Sequence, residues 1–154
     1  MALLPSLRLA SLTLAALPDW AADLLAWARV GRLALLDADD RPRALPITFA
    51  VADDAVWSAI DNKPKRSAEP ARVRWLRRRP EVALCVDRYD DDWTELAWVQ
   101  LLGRIDVLDL DQGAVGLEAL RSKYDHYRSD PPPGPVLRLT VVRSVQWRAA
   151  DSGR

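Results

Sequence analysis

Histidine and cysteine each occur once among the 154 residues, and each scarcity removes a class of chemistry. A single cysteine, Cys85, cannot close an intramolecular disulfide, and its place in the apolar run VALCV reads as a small buried hydrophobe. One histidine beside one cysteine leaves too few ligands for a transition-metal site, so no metal is expected. Net charge is missing as well. Lysine plus arginine and aspartate plus glutamate number 22 each, so no global field draws the chain to nucleic acid or to a membrane, and neither partner is expected. Crossing a bilayer takes about 18 uninterrupted apolar residues. The N-terminal stretch MALLPSLRLASLTLAAL, residues 1–17, lacks a basic leading region and is interrupted by Arg8. It reads as an N-terminal arm ahead of one domain over residues 18–150, in a chain whose default location is cytoplasmic. No internal repeat and no obvious acid/base triad is visible.

What is present describes a folded domain, with 49% apolar and 29% charged residues. The charges are unevenly placed: residues 63–79 hold eight cations and one acid, residues 87–95 five acids and one cation. Pro18 and Asp19 open a helix over 20–29 whose Trp20, Leu24 and Trp27 recur at helical spacing and read as core. Strands are expected over 31–37, 43–51 and 56–60, turned at Ala38 to Asp40 and at Asp53-Asp54, which together make a three-stranded antiparallel meander. Lys63, Lys65 and Arg66 then crowd around Pro64 in a loop just before a second helix, residues 71–79, with Pro70 in its first turn and Pro80 as its stop. Cations between a strand end and a helix start suit a phosphate, although a basic loop is more often a solvated surface. Arg74, Arg77 and Arg78 share one face of that helix. The run 81–87 is apolar enough to be buried on both faces. Residues 94–108 are long enough for one strand bent by a bulge at Gly103. A helix capped by Asp109 or Asp111 runs to about Tyr124, the stiff run PPPGP follows, and 136–149 alternates as the last strand. His126 reads as a surface residue. The fold class is mainly β (α+β): an antiparallel small barrel of about six strands with flanking helices.

Four stretches carry a family resemblance: GRLALLDADDRPRALPITFAV, AIDNKPKR, RRRPEVALCVDRYDDDWTELAWVQLLGRIDVLD and GPVLRLTVVRSVQW. They resemble the split β-barrel flavin- and deazaflavin-binding family that includes pyridoxamine 5'-phosphate oxidase, and within it the actinobacterial branch of F420-dependent oxidoreductases. That resemblance implies that Arg43, Pro46, Ile47 and Thr48 lie along the ring of the cofactor and that Ala59 and Ile60 sit beneath its tail. It implies that Lys65 and Arg66, with Lys63 as a third cation, grip the phosphate. Trp98 falls where oxidase members place a ring contact from the other subunit, and Trp147 matches a late tryptophan near the flavin. The implied assembly is a homodimer with its sites at the interface. The implied activity is hydride transfer between F420, or alternatively FMN, and a small conjugated substrate. The oxidases continue past that tryptophan into a basic tail for the substrate phosphate, which does not follow Trp147 here, so pyridoxamine phosphate oxidation is not expected. The arginine-rich helix after the cationic loop suits the polyglutamate tail of F420. A cofactor carrier or a haem-binding barrel without turnover is the alternative from another class, with His126 as its one available axial ligand.

Overall fold

The computed structural model describes residues 14–61 and 69–151. Helix α1 (Asp19–Trp27) starts after Pro18 in an extended conformation, and it buries Ala21, Leu24 and Leu25. That stripe, continued by Ala28, wins over the one expected from the tryptophans, and Trp27 stands 66% exposed. Leu14 and Leu17, within the segment read as an arm, are packed into the main core.

Seven strands follow: β1 (Gly31–Leu36), β2 (Pro42–Ile47), β3 (Ala50–Ala52), β4 (Ala55–Ala59), β5 (Glu81–Arg88), β6 (Ala97–Leu108) and β7 (Val136–Arg148). Helices α2 (Ala71–Arg78), α3 (Ala114–Lys123) and the short α4 (His126–Ser129) lie between them. The strands form one antiparallel sheet in the order β2-β1-β5-β6-β7-β4-β3.

Two expectations change here. The segment 43–51 is two strands, because the chain turns at Thr48 and Phe49. The Phe49 N–H donates to the Tyr124 hydroxyl at 3.1 Å and its carbonyl accepts from that hydroxyl at 3.0 Å, so this backbone is satisfied by a side chain rather than by a ladder. The meander is also absent. β4 pairs with β7 and β1 with β5, which places β2 and β4 toward opposite ends of the sheet. The hairpin at Asp53-Asp54 does form: φ is 49° and 55° at these two residues, the left-handed pair of a two-residue turn between Ala52 and Ala55.

Leu33 and Leu35 of β1, Leu84 and Val86 of β5, Val99 and Leu101 of β6 and Leu139 and Val141 of β7 fill the concave side, joined by Phe49 and by Val73 and Leu76 of α2. β5 alternates instead of being buried on both faces, and Cys85 is half-buried on the outer face. β6 bends at Gly103, where a Cβ would run into the Thr140 carbonyl of β7. The extra residue of the bulge lies on β7. Leu102 pairs with Arg143 and Gly103 with Val141, which leaves Val142 unpaired and 56% exposed. Asp109 and Gln112 exchange side-chain-to-backbone bonds of 2.8 and 3.1 Å, closing a turn of their own, so α3 begins at Ala114 rather than beside the aspartates. α3 is held to β4 by Gly116, which lies against the Trp57 ring, and a second cluster of Ala50, Ala59, Leu120, Tyr124 and Tyr127 ties α3 and α4 to β3 and β4.

Candidate functional site

The edge strands β2 and β3 are consecutive in the chain, and the sheet curls so that the end of β2 meets the end of β4. Ser58 Oγ donates to the Thr48 carbonyl at 2.7 Å across this seam, and Thr48 Oγ1 lies 2.7 Å from the Tyr127 hydroxyl. The Ile60 N–H is bonded to the Pro135 carbonyl at 3.1 Å, which fixes the chain as it leaves β4. Between these ends opens a cavity of about 220 Å³ whose lining includes Pro46, Ile47, Thr48, Ser58, Ala59 and Ile60. Leu33 and Leu137 form part of its apolar wall, and Asp61 and Arg72 supply its charged groups. Arg72 Nε is buried and has no hydrogen-bond partner among the described residues. A buried guanidinium N–H left unpaired is costly, so the donor set at this rim fits an anionic group.

The cavity thus gathers Pro46, Ile47, Thr48, Ala59 and Ile60 from the residues that the sequence singles out. Lys63, Lys65 and Arg66 lie outside the described residues. Arg43 does not line the cavity. It pairs across the ladder with Leu35, lies 3.5 Å from the Asp37 carboxylate, and stacks 5.0 Å from the centroid of the Trp75 ring. The Asp37 carboxyl is held below the usual carboxylate range, first by the Arg41 N–H.

The other arginines of α2 and its end have partners. Arg74 donates to the Glu69 carbonyl, and Arg77 meets the Glu69 carboxylate at 3.1 Å. Arg78 lies 2.9 Å from Asp40 and donates to the Asp37 and Ala38 carbonyls, while Arg79 lies 3.3 Å from Asp40. Arg78 and Arg79 thereby staple the end of the helix to the β1–β2 turn, while Arg74 and Arg77 hold the segment just ahead of it. Sequence reasoning weighed the basic run as a whole and so missed Arg72 as an individual. Ser58 was missed too, although a lone hydroxyl inside the apolar run AVWSAI was a usable signal.

Trp98 and Trp147 face each other as direct neighbours on β6 and β7. Trp98 is on the outer side of the sheet, where it shares a shallow concavity of about 550 Å³ with Arg32, Cys85, Asp87 and Gln100. Within the chain, then, the expected contacts fall into two sets, one at the seam and one on the outer face. Trp57 is buried, and its indole N–H is bonded to the Ala52 carbonyl at 2.9 Å. His126 has a side chain 71% exposed, 3.7 Å from the Asp130 carboxylate, and is not among the residues lining the seam cavity. Among the described residues no group of three or more histidine, cysteine or acidic side chains is placed to hold a metal ion, and no helix is long and apolar enough to cross a membrane.

No curated protein matches the chain. Solved structures do resemble it. A conserved hypothetical protein of Mycobacterium tuberculosis superposes with a TM-score of 0.72 at 19% identity, over 90% of this chain and 88% of the other. An FAD-binding protein of Mesorhizobium loti gives 0.62 at 22% identity, over 84% and 93% of the two chains. An F420 reductase gives 0.62 at 20% identity, over 84% and 98%. At these identities the likeness shows the fold, an antiparallel split barrel. The sequence profile of the family described as pyridoxamine 5'-phosphate oxidase matches residues 17–148. Together with the seam cavity and its arrangement of β2 and β4, this match places the chain in the pyridoxamine 5'-phosphate oxidase family.

Proposed function

We propose that the chain is an F420-dependent oxidoreductase that works as a homodimer, with the seam cavity taking part of the cofactor and a small conjugated molecule as substrate. The observation that carries this reading is the meeting of residues 46–48 and 59–60 around one cavity that is also lined by Arg72, whose Nε has no partner among the described residues. Hydride transfer is the chemistry that F420 or FMN supplies when bound; the protein's share is binding, orientation and exclusion of water. Ile47, Ala59 and Ile60 keep water from the apolar side, and the Thr48 and Ser58 hydroxyls offer polar contacts at the seam. Arg72, with Lys65, Arg66 and Lys63, supplies charge-assisted bonds to a phosphate. Arg43 contributes from the far end of β2 by fixing that strand against Asp37 and Trp75.

A cavity of about 220 Å³ is smaller than those that enclose a whole small molecule, about 300–1,000 Å³. In this proposal the second subunit completes it, laying its Trp98 and Trp147 face over the seam. The names of two structural relatives, one FAD-binding and one an F420 reductase, favour a flavin-type cofactor. Preference for F420 rests on the eight cations of residues 63–79. The pairs that Arg77, Arg78 and Arg79 make are exposed and individually weak, so they exchange at small cost for the carboxylates of an extended polyanion. Cytoplasmic residence belongs to the same proposal. The second reading, an FMN-dependent oxidase or reductase, is favoured by the FAD-binding relative and would be recognised by a yellow protein as purified.

The test is a fluorescence titration of F420 into the unmodified protein, the Lys65→Ala/Arg66→Ala double variant and Arg72→Met. Each lost charge-assisted bond is worth about 1.5–3 kcal/mol, so each variant should bind about tenfold more weakly or worse. Affinity unchanged in both variants removes the phosphate assignment.

A further inference from the structure

A second cavity, about 490 Å³, opens between α1, β3 and α3, and the redox site proposed above makes no use of it. Its volume is in the range of small-molecule sites. Leu14, Leu17 and Leu25 dominate its lining, α1 adds Ala22 and Ala26, and β3 adds Ala50 and Val51, none of which ionises. Among the described residues, the one charged side chain in the lining is Lys123, the last residue of α3.

Lys123 is half-buried, and its Nζ donates to the Leu25 carbonyl at 3.0 Å. The ammonium lies 4.0 Å from the centroid of the Phe49 ring and 5.6 Å from that of Tyr124. Arg29 is the charged group that acts on it, and Arg29 is a second cation, stacked 4.6 Å from the centroid of the same Tyr124 ring. No carboxylate forms an ion pair with Lys123 among the described residues. Burial first, and Arg29 second, bring its pKa down to about 8, so at neutral pH the group is still charged. An ammonium has three donors, and a charge placed against an apolar wall is costly until an anion pairs with it.

We propose that this groove binds an unbranched aliphatic carboxylic acid, with its carboxylate on Lys123 Nζ and its chain against Leu14, Leu17 and Leu25. Charge complementarity selects this occupant: a half-buried ammonium in the lining, no acid paired with it among the described residues, and an apolar bed beside it. An apolar peptide segment or an aliphatic alcohol satisfies the bed and leaves the ammonium as it was.

The test compares dodecanoate with dodecanol, both below their aggregation limits, by calorimetric titration into the full chain. Near pH 7 the acid should bind about tenfold more tightly than the alcohol or better, the scale of one charge-assisted bond. That preference should shrink at about pH 9.5, where the ammonium has lost its proton. Lys123→Met, checked for folding by circular dichroism, should bring acid and alcohol together, and Lys123→Arg should keep them apart. Equal binding of acid and alcohol by the unmodified protein overturns the proposal, as does a preference for acid that survives Lys123→Met. Binding of neither ligand overturns it too.

Discussion

Tyr124 does at residue scale what the strand propensities of residues 43–51 cannot. Its hydroxyl accepts from the Phe49 N–H and directs its own proton toward the Arg29 and Phe49 carbonyls, at 2.9 and 3.0 Å. The phenol is thereby fixed, and burial first of all pushes its pKa up. Tyr124→Phe strands the buried Phe49 N–H, so chemical denaturation should show a loss of about 1–3 kcal/mol. Lys123, the residue just before it, is shifted the other way. Its folded pKa of about 8 lies below the ordinary lysine value of 10.5, so between these pH values the unfolded chain binds more protons than the folded one. The contribution of Lys123 to stability is therefore present above about 10.5 and is lost as pH falls through about 8. Denaturation midpoints measured across that window should rise with pH, and the Lys123 share of that rise should vanish in Lys123→Met.

At the scale of elements, the long pair β6–β7 shows what a sequence makes plain and what it hides. Gly103 was legible as a bend because a glycine inside a long apolar strand marks a close approach, and here the Thr140 backbone occupies the place of its Cβ. Gly103→Ala should push β6 and β7 apart and lower stability by about 1–3 kcal/mol, read as a lower Tm. The break between β2 and β3 was not legible, since its cause is a tyrosine 75 residues further along. The pairing of β4 with β7 was hidden for the same reason: short turns suggest neighbours, while the ladder from Val56 to Leu139 is decided by which face must be buried. The site was readable in part. The apolar ends of β2 and β4 could be located from strand pattern and resemblance, whereas Arg72 was one arginine among several on a helix until the fold showed which of them faced the cavity.

On the scale of the whole molecule, the proposal turns on two surfaces that one protomer keeps apart, the seam and the outer face that carries Trp98 and Trp147. The row Ala34, Ala83 and Leu102 runs across that face next to Arg32, Cys85 and Gln100, with Arg143 of β7 paired to Leu102. Leu102→Arg places a charge in the middle of it. Sedimentation should find the unmodified protein dimeric and this variant shifted to monomer, with cofactor affinity lost in parallel; a monomeric unmodified protein would remove the second subunit from the site. The most direct test of the central claim is a side-by-side titration of the purified protein with F420 and with FMN. The account predicts saturable binding of F420 in the micromolar range, tighter than that of FMN and weakened by Arg72→Met. A folded protein that binds neither cofactor would contradict it.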